Sequence, residues 1–187
     1  MTMNNHSRKA AFLAAGLIGL LAVAGCSTAP STAEGRSDLR RSSADALSEA
    51  QQNDPSLRNF IDGSAGYAVF PSIGKGAAGI GGAYGKGDFF YQDGTAVGYC
   101  DMTQGTIGLQ LGGQAYTEIL VFENQAAVRR FMAGDCTFDA QATAVALHSG
   151  AGANAKFADG VAVFTTDEAG LMYEAAIGGQ KFSYQNR

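Results

Sequence analysis

The chain has 187 residues, with 13 basic and 17 acidic side chains and a formal net charge of −4. Glycine is dense at 26 residues, cysteine is scarce at three, and tryptophan is absent. This length suits one domain with a core of its own, and the acidic balance excludes general nucleic-acid binding, which needs a basic footprint.

Arg8 and Lys9 open a segment whose next 13 residues, Ala10 to Ala22, are almost wholly apolar, followed by Val23-Ala24-Gly25-Cys26. A basic start, a short apolar run and small residues at its end describe a secretory signal. The run is too short to span a bilayer, which takes roughly 20 residues. Small residues directly before a cysteine resemble a bacterial lipobox, which predicts cleavage after Gly25 and lipidation of Cys26. The alternative is an ordinary cleaved signal with Cys26 incidental. Ser27, where an Asp would direct inner-membrane retention, favours the outer membrane. The first 25 residues hold two basic side chains and no acidic one, so the remaining 162 carry a formal charge of −6. The predicted organisation is a signal over 1–25, a lipidated cysteine and tether over 26–36, and one domain over 37–187.

Residues 27–36 are rich in Ser, Thr, Ala, Pro and Gly and have no apolar period. They read as a flexible tether, whose reach as a coil of about 10 residues is about 18 Å. Ser37 and Asp38 cap a predicted helix running to Gln52 or Asn53, with a stripe of Leu39, Ala46, Leu47 and Ala50. Asp54-Pro55 predicts a second, short helix, with Asp54 as its cap, Pro55 at its first position and Gly63 as its stop. Gly66 to Phe70 reads as a strand ended by Pro71. Glycine is then frequent through Gly87, with apolar strand patterns at 89–91, 97–102, 106–111 and 119–122. Turn signals separate them at Asp93-Gly94, Gln104-Gly105 and Gly112-Gly113. Asn124 to Ala133 is a predicted helix with Asn124 as cap and Gly134 as stop. Further strands are expected at 140–147, 160–165 and 170–184, with a loop over 148–158. The fold class is α+β: a strongly curved, glycine-rich antiparallel sheet or small barrel, flanked by two or three helices.

Chemistry-bearing motifs are few. Gly74-Lys75-Gly76-Ala77-Ala78-Gly79 spells a dinucleotide fingerprint, but the glycines that follow would undo the helix such a site requires. No nucleotide or other cofactor is expected. His148 is the one histidine after the signal, and it lacks the nearby Cys or His partners of a metal site. Its only neighbouring nucleophile is Ser149, so catalysis through His148 is the weakest reading, and a non-enzymatic protein is expected. Cys100 and Cys136 are either a disulfide formed in an oxidising compartment or two buried thiols. Phe70, Tyr84, Phe89, Phe90, Tyr91 and Tyr99 belong mostly to a core, with some available to contact acyl chains. Lys75 and Lys86 flank the glycine run, and with Arg40-Arg41 and Arg129-Arg130 they are either solvated or meet phosphate headgroups.

Three stretches in order, Tyr67-Ala68-Val69-Phe70-Pro71-Ser72, Gly79 to Gly87, and Thr106 to Gln114, followed by the helix ending Val128-Arg129-Arg130-Phe131, resemble the SYLF domain family, also called the Ysc84 type, over residues 37–184. The resemblance implies lipid binding by a curled sheet with flanking helices. Bacterial members are commonly exported or lipid-anchored, and actin binding by eukaryotic members is not carried over to an envelope protein. The expectation is a lipid-anchored envelope protein that binds phospholipid through Lys75, Lys86, Tyr84, Phe89, Arg40 and Arg41. The alternative is an envelope scaffold that binds another protein or peptidoglycan.

Overall fold

The computed structural model describes residues 28–108, 113–134, 137–138, 144–147, 151–166 and 179–187. The signal, Cys26, Cys136 and His148 lie outside the described residues, as does the side chain of Lys75. Helices α1 (Ala33–Asn53) and α2 (Ser56–Asp62) precede strands β1 (Gly66–Tyr91), β2 (Ala96–Gly108) and β3 (Gly113–Phe122). Helix α3 (Gln125–Met132) follows, then β4 (Thr137–Phe138), β5 (Ala144–Ala146), β6 (Val161–Thr166) and β7 (Gln180–Asn186). The sheet order is β4-β7-β2-β1-β3-β6-β5. Every neighbouring pair is antiparallel except β5 and β6. The fold is α+β, with three α-helices among the described residues, as expected. Among the described residues the sheet stays open between edge strands β4 and β5, so of the two sequence alternatives the curved sheet holds and the closed barrel does not.

Two expected boundaries are absent. Pro71 does not end a strand. It sits in an irregularity between Phe70 and Ile73, where the β1–β3 register shifts. A proline has no N–H for the ladder, and the bulge removes the need for one; the Thr117 hydroxyl donates to its carbonyl at 3.0 Å. Gln104-Gly105 is not a turn but part of β2, opposite Ala83 and Gly82. The glycine run therefore lies within one 26-residue strand. Its first half pairs with β3 and its second with β2.

Strand β1 doubles back so that its halves lie backbone to backbone. A Cβ on Gly87 would stand 2.5 Å from the Val69 carbonyl oxygen, and one on Gly85 would stand 2.6 Å from Ile73 Cγ1 and 3.1 Å from the Ser72 oxygen. Only glycine allows that approach. The curl separates two apolar clusters by strand alternation. Inside lie Phe70, Ile73, Phe89, Met102, Leu120, Phe122, Val163 and Phe182, with Val128 and Phe131 of α3 against them. Outside lie Tyr67, Val69, Phe90, Ile119, Val121 and Phe164, covered by Ala50 of α1 and by Leu57 and Ile61 of α2. Central strands with both faces covered read as continuous apolar runs. Cys100 is a free thiol buried on the inner side, and burial pushes its pKa well above the ordinary thiol value.

The helix signals are read correctly within a few residues. Pro55, not Asp54, is the formal cap of α2, yet Asp54 Oδ1 accepts from the Ser56 backbone N–H at 3.0 Å. Asp54 Oδ2 also accepts from the Gly152 N–H, which pins the 151–154 turn to α2. The Asn124 side chain accepts from the N–H groups of Ala126 and Ala127, both at 3.0 Å. Helix α3 closes one side of the inner cluster, so Asn124→Ala should cost about 1 kcal/mol and lower Tm by about 2–4 °C. A thermal melt checks this, and an unchanged Tm would show that packing alone holds α3.

Candidate functional site: the outer face of β1, β2 and β7

The ladders place three rows of side chains across the second half of β1, β2 and β7. They are Tyr84–Thr103–Lys181, Lys86–Asp101–Ser183 and Asp88–Tyr99–Gln185. Residues directly opposite in an antiparallel pair project to the same face. Because Ala83, Phe89, Cys100, Met102 and Phe182 point inward, these rows form the outer face.

The third row is built for structure. Asp88 is fully buried, and its carboxylate accepts from the Arg187 guanidinium and faces Arg40 Nε at 3.8 Å. Arg40 lies over the Phe90 ring at 5.0 Å and Arg187 over Tyr99 at 4.2 Å. One buried carboxylate thus ties helix α1 and the last residue of the chain to β1, since an unpaired buried charge would be costly. Arg40, expected at a lipid surface, is engaged here. Arg41 pairs with Asp38 along exposed α1. The expectation for Phe89 is corrected outright. Its ring is fully buried against Phe122, Phe131 and Tyr184, because Phe89 alternates with the outward Asp88 and joins Ala83 in the inner cluster.

The first row is open. Tyr84 is 44% exposed, and Thr103 and Lys181 are exposed. The Lys86 ammonium lies 5.8 Å from the centre of the Tyr84 ring, a cation–π arrangement. Lysine 181 was not singled out from the sequence. It joins Tyr84 only through pairing between strands about 100 residues apart, which no local pattern encodes.

The chain enters this face from its N-terminal side. Residues 28–32 are not a free tether. The Thr28 carbonyl accepts from Lys86 Nζ at 2.9 Å, the Ala29 N–H donates to Gln185 Oε1 at 3.2 Å, and the Pro30 carbonyl accepts from Arg36 at 3.0 Å. Thr28 is only 8% exposed. Helix α1 begins at Ala33, earlier than expected, because the Thr32 hydroxyl accepts from the Gly35 N–H at 3.0 Å and starts it.

Beside Lys86, an open groove of about 500 Å³ runs between α1 and the sheet, lined by Leu39, Asp45, Glu49, Pro71, Lys86 and Thr117 among others. Its two carboxylates suit it poorly to an anion. Among the described residues no three His, Cys, Asp or Glu side chains gather to hold a metal ion, and no helix is long and apolar enough to cross a membrane. The aromatic residues divide cleanly. Phe70, Phe89, Phe90 and Tyr99 are core, and Tyr84 and Tyr91 are exposed.

Residues 103–186, from within β2 to the end of β7, match the Ysc84 family model, described as "Las17-binding protein actin regulator". No curated protein matches the chain.

Proposed function

Because residues 103–186 match the Ysc84 family model, we propose that the protein is a non-enzymatic, lipid-anchored envelope protein whose sheet face contacts phospholipid. The observation that carries this reading is the exposed row of Tyr84 and Lys181, with Lys86 beside it. The 162 residues after the signal carry a net charge of −6, so long-range attraction to an anionic bilayer is weak. Local cations and an interfacial tyrosine supply what the net charge does not. Residence at the membrane comes from lipid on Cys26, with the outer membrane facing the periplasm as the site.

Flotation with vesicles tests the domain without its anchor. The chain lacking residues 1–26 should float with vesicles containing an anionic phospholipid. Lysines near a charged surface are worth about 1 kcal/mol each, so Lys86→Ala with Lys181→Ala should weaken binding ~30-fold. Failure to float with either anionic or zwitterionic vesicles would sink the lipid reading. The family description, which names a protein partner, favours the second reading: an envelope scaffold whose partner is a protein. Crosslinking in cells to one defined envelope protein or to peptidoglycan, with no flotation, would establish that one.

A further inference from the structure

We propose that the docked segment 28–32 is a strap that fixes how the domain sits on the bilayer, with the Tyr84–Lys86–Lys181 face turned to the lipid and Tyr84 at headgroup depth. The inference rests on the anchored reading above and deepens it by naming the pose.

The strap changes the geometry of attachment. A flexible tether over 27–36 would let the domain wander by about 18 Å and present any side. With Thr28 held by Lys86 and Ala29 by Gln185, only Ser27 lies between the last docked position and Cys26. The two residue steps from Thr28 to Cys26 span no more than about 7 Å even when fully extended. The surface around Thr28 therefore lies within that distance of the lipidated residue.

Direction follows from the ladder. Going backwards along the chain, Ala29 bonds to Gln185, in the row of Asp88 and Tyr99, and Thr28 bonds to Lys86, one row on. The next row is Tyr84–Thr103–Lys181, which is exposed. The charges agree with that orientation. Lys181 stands on this face and Lys86 at its border with the α1-side groove, whose other charged residues are Asp45 and Glu49. An anionic headgroup layer matches the first surface and repels the second.

The chain contains no tryptophan, so a single introduced indole reports on its own surroundings. Tyr84→Trp and Tyr91→Trp in the full-length chain give the test and its comparison. Tyr91 is 40% exposed and lies at the far end of the same strand, roughly 23 Å away at strand rise. The proteins are reconstituted into anionic vesicles whose acyl chains carry bromine, and lipid on Cys26 is checked by intact mass. Indole at 84 should lose at least half its fluorescence, with a blue-shifted maximum and protection from aqueous iodide. Indole at 91 should keep its fluorescence and remain open to iodide. A lipidated chain with equal quenching at both positions, or stronger quenching at 91, overturns the pose and leaves the anchor standing. Indole at 84 shielded from both quenchers would assign the face to a second copy of the chain and would also overturn it. A chain without lipid on Cys26 removes the anchored reading and the pose with it.

Discussion

Glu118→Gln should stabilise the protein above neutral pH and leave it nearly unchanged in acid. Glu118 is fully buried on β3, and burial raises its carboxyl from the usual 4.5 to about 7, with the Gln180 hydrogen bond opposing the shift. The fold therefore prefers the protonated acid. Below about 4.5 both folded and unfolded chains carry the proton, and no stability is lost. As the pH rises from 4.5 to 7, the unfolded chain releases its proton while the folded chain retains it, and stability falls. Above 7 the fold holds a buried carboxylate, at a cost of about 3 kcal/mol. The amide has no proton to lose. At pH 8 the variant should melt about 6–12 °C above the parent, and the two should converge near pH 4. Parallel Tm curves across this range would show that Glu118 does not titrate between folded and unfolded states.

The surroundings explain the preference for the neutral acid. Glu118 stands opposite Thr165 in the β3–β6 ladder, and Gln180 Nε2 donates to its Oε2 at 2.8 Å. Glu118 Oε1, Thr165 Oγ1 and Gln180 Oε1 have no partner, and all three residues are buried. A carboxylate can only accept, as can the Gln180 carbonyl oxygen, whereas the Thr165 hydroxyl can also donate. The protonated acid supplies a further donor, and so does the glutamine amide. The variant therefore keeps the shape of the site and answers its hydrogen bonding.

Glu118 was legible in the sequence and passed over. In Glu118-Ile119-Leu120-Val121-Phe122, strand alternation puts Glu118 on the same side as Leu120 and Phe122, which are core. A carboxylate in register with two core residues is by itself a signal of burial. The local signals elsewhere transferred well, because they act over a few residues. Asn124 caps α3, Gly134 follows it at φ +75°, and Gly94 turns the β1–β2 hairpin at φ +82°. Long-range features were not legible. Pro71 and Gln104-Gly105 carry turn chemistry, yet β1 pairs with β3 around the first and with β2 through the second, which draws both into strands. The strap over 28–32 has the composition of a linker, and it is ordered by Lys86 and Gln185, 58 and 156 positions away. Composition reports what a segment does alone and not what holds it.

Gly87→Ala should be among the most damaging single-methyl additions to this chain, although glycine in a strand is ordinarily a weakness. The new Cβ would lie 2.5 Å from the Val69 carbonyl oxygen and 2.9 Å from the Phe70 ring. The ring has some freedom. The oxygen has little, because Val69 is held in register with Ile119 of β3. Relief requires the halves of β1 to part, which loosens the inner cluster on both sides of the seam. Overpacking of this kind costs about 3 kcal/mol, or about 6–12 °C in Tm. Gly105→Ala is the matched comparison, since nothing lies within 4 Å of the Cβ it would add on β2. There, relief of glycine's backbone entropy should leave stability unchanged or raise it by about 0.5–1 kcal/mol. A Gly87→Ala melt within 2 °C of the parent would mean that the seam gives way easily. The seam also bears on the face of Tyr84, Lys86 and Lys181, because Lys86 and Asp88 flank Gly87. One holds the strap at Thr28, and the other ties down Arg40 of α1 and Arg187. A chain that tolerates Gly87→Ala in stability but parts at the seam should therefore lose the ordered strap first, with residues 28–32 becoming open to protease while the inner core stays protected.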